Sequence, residues 1–166
     1  MIITVTTNPS IDRTIGIDNL VIGGVNRVDL NAIDPGGKGV NVSRALTAYG
    51  AKTHAVLICG DLGSQWFGKK LNALKIAHHI IKAEGITRSN ITLHAGNGQV
   101  TKLNEPGFSL TKETINELYE TLDVLDLKGS WVVLAGRLNP GADLNTYRDL
   151  AQFVRDRGAL VAIDGS

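Results

Sequence analysis

The chain has 166 residues, 43 % of them hydrophobic and 20 % charged, with a net charge of +1. That balance fits one soluble globular unit with a real core, and it offers neither the basic excess of a nucleic-acid binder nor the charge block of a membrane-surface protein. A single cysteine, Cys59, excludes a disulfide scaffold and a cysteine-rich metal centre.

The run from Met1 to Val5 lacks a basic segment followed by a long apolar stretch, so no signal peptide is expected. Nowhere does the chain approach the roughly 18 apolar residues of a membrane span. The expected location is the cytoplasm. Glycine is over-represented: its 19 residues are about 11 % of the chain against an average of about 7 %. Turns or close backbone approaches must require them.

In chain order, Ile2 to Thr6 is a β-branched run stopped by Asn8-Pro9, and it predicts a strand. Arg13 to Ile17 and Val25 to Leu30 alternate weakly around Gly23-Gly24 and predict a small ribbon. Val40 to Tyr49 carries helical spacing and is capped by Gly50. Thr53 to Cys59 reads as a strand buried on both faces. Ser64 is the expected cap of a helix with Phe67, Leu71 and Leu74 on one side. Ile86 to Ala95 and Gln99 to Asn104 flank Gly96-Asn97-Gly98 and predict an antiparallel hairpin. Thr111 opens a helix striped by Ile115, Leu118, Leu122 and Leu125. Trp131 to Ala135 is an apolar strand. Leu144, Tyr147, Leu150 and Val154 stripe a helix closed by Gly158, and Ala159 to Asp164 is a last strand. Strands alternating with helices argue an α/β sheet that is largely parallel.

The strongest chemical signal is Gly36-Gly37-Lys38-Gly39-Val40-Asn41 at a helix start. Glycines allow close backbone approach, the helix end points free N–H groups outward, and Lys38 adds a charge. That combination suits an anion, most naturally a phosphate. A P-loop would need Gly in place of Ala32 and Ser or Thr in place of Gly39. A dinucleotide fingerprint would need Gly in place of Val42. Neither motif fits. His78-His79 is not expected to bind metal, since adjacent residues of an extended segment face opposite ways. Cys59 is expected to be an inert core thiol. Asn41-Val42-Ser43 has the form of a glycosylation sequon, with no sign of secretion beside it.

Five segments in order resemble the PfkB group of sugar kinases. These are Thr6-Thr7-Asn8-Pro9-Ser10-Ile11-Asp12, Gly24-Val25-Asn26-Arg27-Val28, Gly36 through Leu46, Thr87-Arg88-Ser89-Asn90, and Ala135-Gly136-Arg137-Leu138-Asn139-Pro140-Gly141. Within that group the chain resembles the 1-phosphofructokinases, with the tagatose-6-phosphate kinases beside them. The resemblance implies a ribokinase-like layered αβα fold with a mostly parallel central sheet. Residues 1–166 would be the N-terminal part of one such domain, with a β-strand lid at about 13–33 and 87–104, ending before the C-terminal catalytic part.

It also implies a kinase that uses ATP and Mg²⁺ to phosphorylate fructose 1-phosphate, or alternatively tagatose 6-phosphate or fructose 6-phosphate. Asp12 would accept hydrogen bonds from sugar hydroxyls. Gly36, Gly37 and Asn41 would contact the sugar, and Lys38 and Arg88 would hold the phosphate already on it. Asn90 would order its strand and reach the sugar or nucleotide. Arg27 would reach a phosphate, across a homodimer formed through the lid. No nucleic acid or membrane is implied.

The chain departs from the family in three places. Thr92 stands where the family has a lysine, and Arg137 and Asn139 stand where its loop has Ser and Pro. The downstream Gly-Ala-Gly-Asp segment, with the catalytic aspartate and the anion hole, is absent. Phosphoryl transfer needs a base close to the nucleophile, so these residues alone are expected to bind sugar phosphate without turning over ATP. A non-catalytic sugar-phosphate-binding or dimerising module is the rival expectation. The strand ending near Asp164 is expected to leave an open, aggregation-prone sheet edge.

Overall fold

The computed structural model describes residues 1–165, with the side chain of Leu62 left aside. Ser166, the last residue of the Asp164-Gly165-Ser166 segment, lies outside the described residues.

Strands β1 (Ile2–Thr6), β4 (Thr53–Gly60), β5 (Ala77–Ala83), β8 (Trp131–Gly136) and β9 (Leu160–Gly165) form a sheet in the order β5-β4-β1-β8-β9. Every neighbouring pair in it is parallel. Helices α1 (Lys38–Ala48), α2 (Asp61–Ala73), α3 (Lys112–Asp123) and α4 (Thr146–Asp156) cover it. Two apolar clusters fill the two faces. One gathers Val56, Ile58, Val132 and Leu134 with Leu118, Leu122, Leu150 and Val154 from α3 and α4. The other gathers Ala55, Leu57 and Cys59 with Val40, Phe67 and Leu71 from α1 and α2. This two-sided burial explains why the central strands are nearly continuous apolar runs. Burial raises the Cys59 thiol pKa to about 12, which keeps it protonated and inert.

Strands β2 (Ser10–Ile17), β3 (Asp29–Gly36), β6 (Arg88–Ala95) and β7 (Val100–Asn104) form a second sheet in the order β3-β2-β6-β7. Its outer pairs are antiparallel and its central pair, β2 with β6, is parallel.

Several boundaries move. The ribbon strand expected over Val25 to Leu30 instead spans Asp29–Gly36, and residues 25–28 belong to the connection from β2. Asp34-Pro35-Gly36 has turn composition, yet β3 is an edge strand, where proline and glycine are tolerated. The strand expected over Arg13 to Ile17 starts earlier, at Ser10, so Asp12 lies within β2, paired with Asp34 and Asn90. Helix α2 begins at Asp61, with Gly60 rather than Ser64 at its cap, and Ser64 Oγ donates to the Asp61 carbonyl from inside the first turn. Leu144 lies outside α4 and is 90 % exposed. The segment holding His78 and His79 is a full strand, β5, at the sheet edge, which is why it carries polar residues. In contrast, Thr111 caps α3 as expected, accepting from the Thr114 N–H at 3.2 Å.

Three helices end in the same way. After α1, Gly50 N–H donates to Thr47 and Ala51 N–H to Leu46; Gly158 and Ala159 do the same after α4. This is the Schellman pattern, which needs a left-handed residue. After α2 that residue is Lys75, at φ 57°. A side chain costs roughly 1 kcal/mol there. Lys75→Gly should therefore raise stability by up to about 1 kcal/mol, read as a higher urea midpoint with an unchanged slope.

His54, on β4, is half-buried, and its Nε2 is buried without a partner. Burial lowers its pKa below the ordinary 6.5, and His79 and His78 push the same way. The folded protein thus binds fewer protons than the unfolded chain as pH falls through about 6.5, so this contribution to stability is present above that pH and is lost below it. Urea midpoints should fall between pH 7.5 and 5.5, and His54→Gln should flatten that slope.

Candidate functional site

The second sheet presents three registered rows on one face. Gly36, Ser10 and Arg88 lie across one row; Asp34, Asp12, Asn90 and Asn104 across the next; Ala32, Thr14, Thr92 and Lys102 across the third. Residues two apart share a face of a strand, so side chains from four strands meet. They line an open cleft of about 380 Å³ that includes Asp12, Asp34, Asn41, Asn90, Thr92 and Lys102. A larger cavity of about 470 Å³ lies between α3 and the approach to α4, and it contains none of the expected site residues.

Asp12 is held in place from one side. Its Oδ1 accepts from Ser10 Oγ at 2.7 Å and from Asn90 Nδ2 at 3.1 Å, and Asn90 Nδ2 also donates to Ser10 Oγ at 3.0 Å. Among the described residues no donor reaches Oδ2. The carboxylate is therefore fixed by one oxygen and open at the other, the arrangement needed to accept a ligand hydroxyl without reorganising. Gly36 makes this possible: a Cβ there would stand 2.2 Å from Asp12 Oδ2.

Arg88 is half-buried and donates from Nε to the Asn8 carbonyl at 3.2 Å and from Nη1 to Asn90 Oδ1 at 3.4 Å. Burial lowers its pKa from the usual arginine value; Asp12 acts in the opposite direction, and Arg137 adds repulsion. Asn41 is exposed in the first turn of α1 and joins the cleft, accepting from Arg44 Nη1 at 3.4 Å. Lys38 is turned elsewhere: its Nζ donates to Asp164 Oδ1 at 3.0 Å, joining α1 to the end of β9. Arg27 lies exposed in the connection between β2 and β3 and does not line the cleft.

The glycines of the α1 entrance have structural duties. Gly37 caps the helix at φ 107°, with Thr6 and Pro9 against it. Gly39 sits on β1, where a Cβ would meet Thr6 Oγ1 at 2.4 Å and the Val5 carbonyl at 2.9 Å. The glycine excess at Gly36 and Gly39 thus serves contacts within the chain, not only an approach of backbone to ligand.

Sequence reasoning missed Ser10 and Lys102. Ser10 opens β2, and its pairing with Arg88 turns it inward beside Asp12. Lys102 stands directly opposite Thr92 in the β6–β7 register, so a cation returns to the cleft beside the threonine that replaces the family's lysine. Only the register of the hairpin could have revealed it.

No family model matches the chain. It is 35 % identical to a 1-phosphofructokinase of Rhodobacter capsulatus, over 99 % of this chain and 53 % of that protein. It is 30 % identical to a tagatose-6-phosphate kinase of Staphylococcus epidermidis, over 100 % of this chain and 53 % of that protein. This chain is a homologue of the PfkB-family sugar kinases. Among solved structures, it matches phosphofructokinase-2 from Escherichia coli in complex with fructose-6-phosphate with a TM-score of 0.92 and 25 % identity, over 99 % of this chain and 55 % of that one. A phosphofructokinase-like protein of Staphylococcus aureus matches with a TM-score of 0.88 and 31 % identity, over 98 % of this chain and 52 % of that one. The fold is the ribokinase-like α/β architecture of these kinases. The chain spans about half the length of the curated relatives it matches.

No helix among the described residues is long and apolar enough to cross a membrane. Nor do the described residues gather three or more His, Cys, Asp or Glu side chains that could hold a metal ion.

Gly36→Ala should displace the Asp12 carboxylate and cost about 1–3 kcal/mol. The check is a chemical denaturation curve alongside the NMR signals of the Asn90 side-chain amide, which should shift as its bond to Asp12 is lost.

Proposed function

We propose that this chain is the N-terminal, sugar-phosphate-binding part of a kinase that transfers a phosphoryl group from ATP to the free primary hydroxyl of fructose 1-phosphate. The observation that carries the reading is the half-satisfied Asp12 carboxylate, fixed through Oδ1 and open at Oδ2 in a polar cleft. A ketose offers hydroxyls to Oδ2, to Asn41 and to the backbone at Gly36 and Gly37. Arg88 supplies a planar fork suited to the phosphate. Lys38 can add to it at modest cost, because its exposed pair with Asp164 contributes only about 0–1 kcal/mol.

Similarity to a 1-phosphofructokinase at 35 % identity supports fructose 1-phosphate. Tagatose 6-phosphate and fructose 6-phosphate remain the alternatives that similarity to the other kinases supports. ATP and Mg²⁺ are proposed for the whole protein. None of the described residues is assigned to hold the metal. The 166-residue chain is proposed to bind sugar phosphate without turnover, because phosphoryl transfer needs a base close to the nucleophile and none of its residues is assigned that role; a binding module without catalysis is the rival reading.

The second sheet is proposed as a lid, in a cytoplasmic homodimer. Leu30 and Leu103 are exposed on the face of this sheet opposite Asp12, and Ile22, Val25 and Val28 are exposed in the connection from β2 to β3; these are the apolar side chains a second copy would cover.

Calorimetric titration with fructose 1-phosphate, tagatose 6-phosphate and fructose 6-phosphate tests the reading. Fructose 1-phosphate should bind tightest, and Asp12→Asn should weaken it by at least about ten-fold. Unchanged binding by Asp12→Asn would remove the sugar from this cleft.

A further inference from the structure

Glu105 directly follows β7, and its side chain takes over a bond that its backbone would ordinarily make. Asn90 pairs with Asn104 in the β6–β7 register, so the next position along the ladder sets Ser89 opposite Glu105. An antiparallel pair of this kind exchanges two backbone hydrogen bonds. One of them is present, from the Glu105 N–H to the Ser89 carbonyl at 3.1 Å. The other is diverted: the Ser89 N–H donates to Glu105 Oε2 at 2.7 Å. The Glu105 carbonyl is left to a different donor, Arg88 Nη1, at 3.5 Å.

The segment after Glu105 holds this diversion in place. Pro106 has no N–H, so it cannot continue the ladder, and it keeps the residue before it extended. The Pro106 carbonyl accepts from Asn8 Nδ2 at 3.0 Å, and the Phe108 carbonyl accepts from Asn139 Nδ2 at 3.1 Å. Both asparagines are buried. Residues 105–108 are thereby pinned to the exit from β1 and to the loop after β8, while the Glu105 side chain remains exposed.

A guanidinium carries five N–H donors. In Arg88, Nε donates to the Asn8 carbonyl at 3.2 Å, and Nη1 has two acceptors, Asn90 Oδ1 at 3.4 Å and the Glu105 carbonyl. Nη2 has no partner among the described residues. The half-buried arginine is thus oriented from three sides and keeps one nitrogen for a ligand.

We propose that Glu105 is a positioning residue for Arg88: by taking the Ser89 N–H on its carboxylate, it releases its own carbonyl to orient the guanidinium, which then offers Nη2 to the phosphate of the bound ketose phosphate. The inference rests on the sugar-phosphate reading above, in which Arg88 holds that phosphate. Without the carboxylate the ladder closes in the ordinary way. The Ser89 N–H turns to the carbonyl of residue 105, and Arg88 loses an acceptor. The guanidinium must then be ordered at the moment of binding, which costs affinity. Charge alone predicts the reverse, because removing a carboxylate beside an anion site strengthens the hold on an anion.

The test titrates inorganic phosphate, fructose 1-phosphate and fructose into the full chain and into Glu105→Ala and Glu105→Gln. Glu105→Ala should weaken fructose 1-phosphate and inorganic phosphate by about five-fold and leave fructose unaffected. Glu105→Gln keeps an oxygen acceptor for the Ser89 N–H and should bind as the unmodified chain does. The Arg88 Nε–Hε signal in NMR spectra should shift in Glu105→Ala and hold its place in Glu105→Gln, a direct reading of the guanidinium that no general loss of stability reproduces.

Equal or tighter phosphate binding by Glu105→Ala would overturn the inference and leave the sugar reading intact. So would a Glu105→Gln variant as weak as Glu105→Ala, or an equal loss of fructose binding. Inorganic phosphate binding that depends on Glu105, with no gain from the attached ketose, would uphold the positioning of Arg88 and overturn the sugar reading.

Discussion

Asn8 leaves the first strand of the central sheet with its side chain almost wholly buried, and it gives its amide hydrogens to the carbonyls of Pro106 and Leu138. Its own carbonyl takes Arg88. One residue therefore ties together the exit from β1, the segment after β7, the loop after β8 and the start of β6. A buried amide with partners on such distant segments is costly to leave unmade. The position of the second sheet relative to the central one depends on it. Gly107 sits at φ 94°, and a Cβ there would stand 2.3 Å from Asn8 Oδ1, so backbone conformation and space both call for glycine.

A second tie lies beside it, at Thr87. The Thr87 hydroxyl accepts from the Gly60 N–H at 2.9 Å, and Gly60 and Gly63 have no room for a Cβ against residues 85–87. The start of β6 is thus anchored twice, through Arg88 to Asn8 and through Thr87 to Gly60. Next to those anchors the Ser10, Asp12 and Asn90 cluster is held by backbone pairing of β2 with β6 instead of by surface loops. A site built on paired strands keeps its geometry better than one built on free loops.

The central sheet was readable from sequence because two-sided burial writes itself as apolar runs: Thr53–Gly60 and Trp131–Gly136 could hardly be anything else. The cap at Thr111 and the glycine stops at Gly50 and Gly158 were readable for local reasons. The second sheet was only half visible. β3 runs through Asp34-Pro35-Gly36, a composition that spells a turn, and in the central sheet the edge strand β5 carries two histidines and a lysine. Edge strands are freed from the pattern that burial imposes. At the site, Asp12, Asn90 and Arg88 were recognisable from motifs, but their mutual contacts depend on the register between β2 and β6. Lys102 and Ser10 were invisible for that reason, and the pairing of Lys38 with Asp164 joins residues 126 positions apart, which no local pattern can announce.

The hydrogen bond between Asn90 and Asp12 spans 78 positions of sequence, and its strands run parallel, so β3, α1, β4, α2 and β5 must all be laid down before the two residues meet. Closing so long a loop is entropically expensive and is repaid late. The cleft is therefore among the last parts of this protein to assemble on the way to the folded state. During synthesis, the nascent chain cannot bind through the Asp12–Asn90 pair until more than half of its residues have emerged.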